Sequence, residues 1–207
     1  MYFWGDFDVL AFSQNKLGSE GRIARNLAVL IAALWLGRYK YVSPSDFKYT
    51  IGSLAVEFAN YDQKDAQELL IFVLNGLHED LNRISHKVAI PDQTETNIEN
   101  FDQTADKSWK NFLANDRSII IENFYGQFGS VTKCCHCSNA SFIFEAFMSL
   151  TLPVVATNGK CTLNDCIDKF LSFERLTSDC SKCLASREIY KTMLFRRLPK
   201  YLIIHFN

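Results

Sequence analysis

No sign of charge dominates this sequence. Its 207 residues carry 22 Lys and Arg against 23 Asp and Glu, a formal net charge of −1. A general nucleic-acid binder needs a basic excess to displace counterions from phosphates, so no nucleic-acid partner is expected. Long hydrophobic runs are also missing. The longest apolar block, Leu27 to Leu36, is ten residues, about half of the ~20 that span a bilayer. No membrane insertion is expected from it. Met1 to Phe7 places no basic stretch before an apolar run, so no secretory signal is read. The expected location is cytoplasmic, with endosomal association or the nucleus as variants. Cysteine is absent from the first 133 residues, and all seven cysteines lie between Cys134 and Cys183. An odd number, in a chain read without a secretory signal, argues against a disulfide framework.

What is present points to a folded chain. Hydrophobic residues make up 48% and aromatics 14%, with 17 Phe. A disordered chain would be poor in both. The length suits one domain, or one domain with a subdomain, and is enough to bury a core.

The first half reads as helical. Ile23, Leu27, Leu30 and Leu34 recur at helical spacing from Glu20, with Gly37 as a C-cap. Ser43, Pro44 and Asp46 suit the N-cap, N1 and N3 of a short helix ending near Gly52. Tyr61 to Ile84 carries the strongest helical pattern, with Leu70, Val73, Leu77, Leu81 and Ile84 on one face. Val88 to Lys107 is polar and reads as a surface loop, and a short helix is expected from Ala105 to Leu113. After Ser118 the texture becomes β-like. Ile119–Ile121, Phe124–Phe128, Ser130–Lys133, Ser141–Leu152, Glu188–Phe195 and Tyr201–Phe206 read as strands. Thr162 to Asp165 starts a helix in capping-box fashion that runs to Ser172.

Two CxxC knuckles stand out, Cys134-x-x-Cys137 and Cys180-x-x-Cys183. Each such turn can place two thiolates on one tetrahedral Zn²⁺, and two of them close a four-sulfur structural site. Zn²⁺ is therefore the expected cofactor. A redox CxxC or a set of buried free thiols are the alternatives, and Cys135 and His136 could compete as ligands. Cys166 reads as a core residue and Cys161 as a partly exposed thiol.

Polar residues gather at the head of the Tyr61–Ile84 helix. Asp65 and Glu68 are three apart and share a face, where the helix dipole favours carboxylates. They either cap the helix or accept hydrogen bonds from a partner; the pattern alone leaves both open.

Taken together and in order, several segments resemble the ubiquitin-specific protease family. They are Tyr61–Arg83, Phe124–Phe128, the first knuckle, Phe144–Phe147, Leu150–Pro153, the second knuckle and Leu198–Phe206. The similarity runs from about Gly18 to the end, and Ser43–Gly52 with Phe144–Pro153 leans toward the endosome-associated member. The resemblance implies an α+β fold, a papain-like cysteine protease hand with helical thumb, β palm and zinc-ribbon fingers, incomplete at both ends. Residues 1–115 would be thumb, 118–190 fingers with palm strands, and 191–207 the start of the palm sheet. It implies hydrolysis of the bond after ubiquitin's C-terminal glycine, with ubiquitin and ubiquitinated proteins as partners. By the same resemblance Gln63, Asp65 and Glu68 hold ubiquitin's tail. Lys64 departs from the family pattern, which has Gln there.

A thiol protease needs a cysteine activated by a histidine. The family's Gly-Asn-Thr-Cys box and Gly-His-Tyr segment are not found here, and His78, His86, His136 and His205 sit in other contexts. No catalytic residue is expected within these 207 positions. The chain stops at Asn207 inside an apolar strand and reads as a piece of an active protease. The alternative is a truncated, inactive ubiquitin-binding protein. A zinc-ribbon nucleic-acid module is a third reading, disfavoured by the neutral charge.

Overall fold

The helical periodicity of the first half becomes three α-helices: α1 (Arg22–Trp35), α2 (Ser45–Leu54) and α3 (Ala66–Asp80). A computed structural model describes residues 18–84, 86–89, 100–155 and 159–207. Two further helices, α4 (Phe101–Asn115) and α5 (Ile119–Phe124), precede the strands. Then follow β1 (Gly126–Cys134), β2 (Ala140–Phe147), β3 (Ser149–Leu152), α6 (Leu163–Leu171), β4 (Glu174–Cys180), β5 (Ala185–Arg197) and β6 (Ile203–Phe206). The architecture is α+β, as expected. The chain forms two compact units, one from Met1–His86 with Asp116–Ile120, the other from Lys87–Asn115 with Ile121–Asn207.

The first unit is organised by one carboxylate. Asp80, at the end of α3, is buried. It accepts from the backbone N–H of Ser19 (2.6 Å), Gly21 (3.2 Å) and Ala24 (3.1 Å), and from the Ser19 hydroxyl (2.7 Å). Helix α1 has no capping side chain of its own at Gly21, so Asp80 and the Ser19 hydroxyl, which accepts from Ile23 N–H, satisfy its first-turn donors. The same contact seats α1 on α3. Gly76 lets the Ile23 side chain approach α3 closely, since a Cβ there would push the end of that side chain aside. Asn82 extends the end of α3, its Oδ1 accepting from Ile84 and Arg117 N–H groups.

In the second unit, β2-β1-β5-β4 form an antiparallel sheet, and β3 pairs in parallel with β6. Phe101 and Ala105 of α4 pack on Phe142 and Phe144 of β2, with ring centroids 4.8–5.3 Å apart. Buried Gln127 on β1 donates to the Ala105 carbonyl at 2.9 Å. A second cluster joins Leu150 and Leu152 of β3 to Cys166 of α6, flanked by Phe170, Phe195 and Ile204.

Several expected elements shift. Ile119–Ile121 is helical, in α5, with Ile120 and Ile121 buried. A short β-branched run is ambiguous between strand and buried helix, and packing decides it. Helix α4 begins at Phe101, inside the segment read as a loop, because Phe101 and Ala105 supply an apolar stripe for β2. Helix α2 starts after Pro44 rather than Ser43, and the Ser43 hydroxyl pairs with that of Ser45 instead of a backbone N–H. Helix α3 is shorter than the Tyr61–Ile84 pattern, beginning after Asp65. Strand β4 carries no periodic signal of its own, since six of its seven residues are exposed and show no apolar alternation. Gly37, by contrast, adopts the left-handed conformation expected just past α1, φ 62°. Thr162 and Asp165 form the expected capping box on α6, and those bonds hold Asp165 below its ordinary carboxylate value.

Asp80→Ala strands three buried backbone donors. It is expected to destabilise the chain by about 3 kcal/mol, read from the urea unfolding midpoint. A loss below about 0.5 kcal/mol, the size of an ordinary surface substitution, would contradict this account of α1.

Candidate metal centre and binding residues

The register of the four-stranded sheet delivers the knuckles. Strand β1 ends at Cys134, opposite Ile189 of β5, and β4 ends at Cys180, opposite Ala185. Both partner strands thus terminate at the same end of β5, and each turns through a CxxC. Ser138 and Leu184, just past the knuckles, take left-handed φ of 55° and 51°. Ser138 N–H bonds back to the Cys134 carbonyl, and Leu184 N–H to that of Cys180. The sulfurs of Cys134, Cys137, Cys180 and Cys183 converge, all lying within 4.8 Å of one another. Cys134 Sγ is 4.0 Å from Cys183 Sγ, and Cys137 Sγ is 3.5 Å from Cys180 Sγ. Four thiolates on one tetrahedral ion, with metal–sulfur bonds of about 2.3 Å, would have edges of about 3.8 Å. The measured contacts bracket that value, so the four residues could hold a metal ion.

Backbone donors favour a thiolate on the first cysteine of each knuckle. The backbone N–H of Cys183 points at Cys180 Sγ (3.4 Å) and, as the first cause, brings that thiol down to about 6. The N–H of Cys137 lowers Cys134 in the same way. The hydrogen bond with Cys137 pushes Cys183 up to about 12. Each knuckle therefore stabilises a thiolate on its first cysteine through backbone donors, a contribution invisible in the residue types. Cys135 is exposed, and its N–H is committed to the Glu188 carbonyl. His136 lies outside the four-sulfur group.

A second group of possible ligands, His78, Glu79 and Asp116, lies in the first unit. Both ring nitrogens of His78 are engaged there, Nδ1 with Ser118 Oγ at 2.8 Å and Nε2 with Asp116 Oδ1 at 3.1 Å. A Ser–His–Asp chain of this kind would suggest acyl transfer if it met solvent. Ser118 is 0% exposed, so no substrate reaches its hydroxyl, and the trio ties α3 to the 116–118 segment. The buried His78 ring thus acts as a structural hydrogen-bonding group. Among the described residues no cysteine is hydrogen-bonded to a histidine ring.

Gln63, Asp65 and Glu68 are all exposed. Asp65 is the N-cap of α3, its carboxylate accepting from Gln67 N–H at 2.6 Å and more weakly from Glu68 N–H at 3.4 Å. The capping role is thus present. The Glu68 carboxylate stands one turn further on, at the positive end of the helix. Lys48 occupies the adjoining surface, donating to the Ala59 and Asn60 carbonyls and lying 4.2 Å from the Tyr61 ring centroid.

The family model described as "Ubiquitin carboxyl-terminal hydrolase" matches residues 8–207. Ubiquitin carboxyl-terminal hydrolase 15 of Xenopus tropicalis is 43% identical over 148 residues, which cover 68% of this chain and 14% of the relative. Ubiquitin carboxyl-terminal hydrolase 4 of Rattus norvegicus is 40% identical over 140 residues, 68% of this chain and 14% of the relative. The chain thus spans 14% of the length of these relatives. The lean toward an endosome-associated member gains no support from them. Among solved structures, the SAGA DUB module of Ubp8, Sgf11, Sus1 and Sgf73 bound to monoubiquitin matches with a TM-score of 0.64 at 19% identity, covering 96% of this chain and 40% of that one. The same module bound to ubiquitin aldehyde gives a TM-score of 0.60 at 18% identity, with the same coverage. These two show that the fold is shared.

Asp65→Ala removes the α3 cap and is expected to lower stability by about 1 kcal/mol, while Asp65→Asn retains most of it. Urea denaturation distinguishes them. Equal midpoints for wild type and Asp65→Ala would contradict the capping role.

Proposed function

Because the chain belongs to the ubiquitin carboxyl-terminal hydrolase family, we propose that it is the ubiquitin-holding part of a deubiquitinating thiol protease. The reaction is hydrolysis of the bond after ubiquitin's C-terminal glycine, by acyl transfer through a thioester. The nucleophilic cysteine and its histidine lie outside these residues. Cysteine is absent from residues 1–133, and none of the seven cysteines is hydrogen-bonded to a histidine ring among the described residues. Cys134, Cys137, Cys180 and Cys183 are the ligands of one structural Zn²⁺. The convergence of their sulfurs within 4.8 Å is the observation that carries the reading, because it makes a metal-pinned pair of knuckles at one end of a long sheet. A closed four-thiolate site leaves no position for water, so the metal organises the sheet end and takes no part in the chemistry.

Gln63, Asp65 and Glu68 hold the extended tail of ubiquitin. An extended chain offers unpaired N–H groups and basic side chains, and carboxylates at a helix start accept from both. Asp65 uses one oxygen for the cap, which fixes its orientation, while Glu68 is exposed. The partners are ubiquitin and ubiquitinated proteins. No described helix is long and apolar enough to cross a membrane, and a cytoplasmic location, with endosomes or the nucleus as variants, belongs to the same reading. The alternative is a truncated, catalytically inactive ubiquitin-binding protein, which shares the absence of a cysteine–histidine ring pair among the described residues.

Isothermal titration of the chain with ubiquitin tests the reading. Glu68→Ala is expected to weaken binding about tenfold, the loss of one charge-assisted hydrogen bond, with the urea midpoint unchanged. Ubiquitin shortened at its C-terminal tail should bind wild type and Glu68→Ala equally. Undiminished affinity in Glu68→Ala would contradict the tail assignment, and no binding of full-length ubiquitin would contradict the function.

A further inference from the structure

Cys161 and Cys166 take no part in the four-sulfur cluster and belong to no residue set assigned to ubiquitin. Spacing alone separates them into a loop thiol and a core residue. In the structure their sulfurs are 3.2 Å apart. The turn that joins them is held by the capping box of α6. Thr162 N–H and hydroxyl both donate to Asp165 Oδ2 (2.8 and 2.7 Å), and Asp165 N–H donates to Thr162 Oγ1 (3.2 Å). Cys166 N–H closes the first helical turn on the Thr162 carbonyl. The turn thus holds the two residues close in space, and their side chains face each other across it. They also differ in access: Cys161 is exposed, while Cys166 is 1% exposed and packs with Leu150 and Leu152.

We propose that Cys161 and Cys166 form a reversible modification site, at which a small-molecule disulfide of the glutathione class oxidises the pair to an internal disulfide. The Cys161 thiolate attacks one sulfur of the reagent. Its S–S bond breaks, and the leaving thiolate takes up the proton lost by Cys161. A mixed disulfide now sits on Cys161. Cys166, whose own proton passes to the second leaving group, attacks Cys161 Sγ and expels the second small thiol. Two protein thiols are oxidised and one reagent disulfide is reduced to two thiols. The order follows from access, since of the pair Cys161 meets solvent and, among the described residues, Cys166 is the thiol within reach of its sulfur. Closing the contact to a bond of about 2.05 Å needs a movement of about 1 Å, which the loop side of the pair can supply. The hydrogen bond with Cys166 holds the Cys161 thiol above its ordinary value, so the site reacts more slowly than a free surface thiol.

Trypsin cuts after Lys160 and Lys169, so both cysteines fall in one peptide. The full chain is incubated with glutathione disulfide, unfolded, alkylated and digested. The expected peptide carries no alkyl group and is two hydrogens lighter than the dithiol. Dithiothreitol before alkylation should return it to the doubly alkylated form. In Cys161→Ser, an exposed position, Cys166 should remain fully alkylatable after the same treatment. A peptide that stays doubly alkylated, or that stops with glutathione on Cys161, would overturn the proposal. So would protection of Cys166 in Cys161→Ser. The readout is the peptide itself and is independent of the metal and ubiquitin readings.

Discussion

Strand β5 (Ala185–Arg197) hydrogen-bonds to β1 on one side and to β4 on the other, and the geometry of the cysteine cluster depends on that shared pairing. Because β5 is common to both ladders, the ends of β1 and β4 are carried to the same place along it. A slip of one residue in either register would turn the alternate side chains to the wrong face and separate the knuckles. The strands themselves offer little to prevent it. Strand β4 is exposed over six of its seven residues, so it buries almost no apolar surface of its own. A metal ion held by both knuckles would supply the missing cross-link, and its binding free energy would become folding free energy for this end of the sheet. Further along, Phe147, Phe195 and Phe170 hold the sheet by aromatic packing, and no metal is needed there.

The first unit uses a different device for the same purpose. Asp80 gathers the donors at the start of α1, which fixes α1 on α3 and leaves the opposite end of α3 open to solvent. That open end carries Asp65 and Glu68. For the proposed tail-binding role, a position set in advance spares the affinity lost in ordering a group on contact. The Asp65 cap does this for its own carboxylate and anchors the first turn on which Glu68 stands.

Much of this was legible in the sequence where spacing carries chemistry. The paired CxxC turns marked the four converging cysteines. The capping box at Thr162–Asp165 and the glycine past α1 were read from residue type, because each satisfies a defined backbone need. Legibility failed where packing overrides local preference. Ile119–Ile121 has strand propensity yet forms α5, because two of its residues are buried in helical geometry. Strand β4 has no apolar alternation and exists because β5 offers it an edge. The closeness of the Cys161 and Cys166 sulfurs was equally hidden, since spacing across a helix start does not fix where two side chains point. The backbone N–H groups that lower Cys134 and Cys180 have no side-chain signature at all.

The central claim is that four sulfurs from two knuckles share one metal ion at the end of β5. X-ray absorption at the zinc edge on the purified chain tests it most directly. The account predicts one zinc per chain surrounded by four sulfur scatterers at about 2.3 Å. A shell containing nitrogen or oxygen ligands, or the absence of bound zinc, would contradict it.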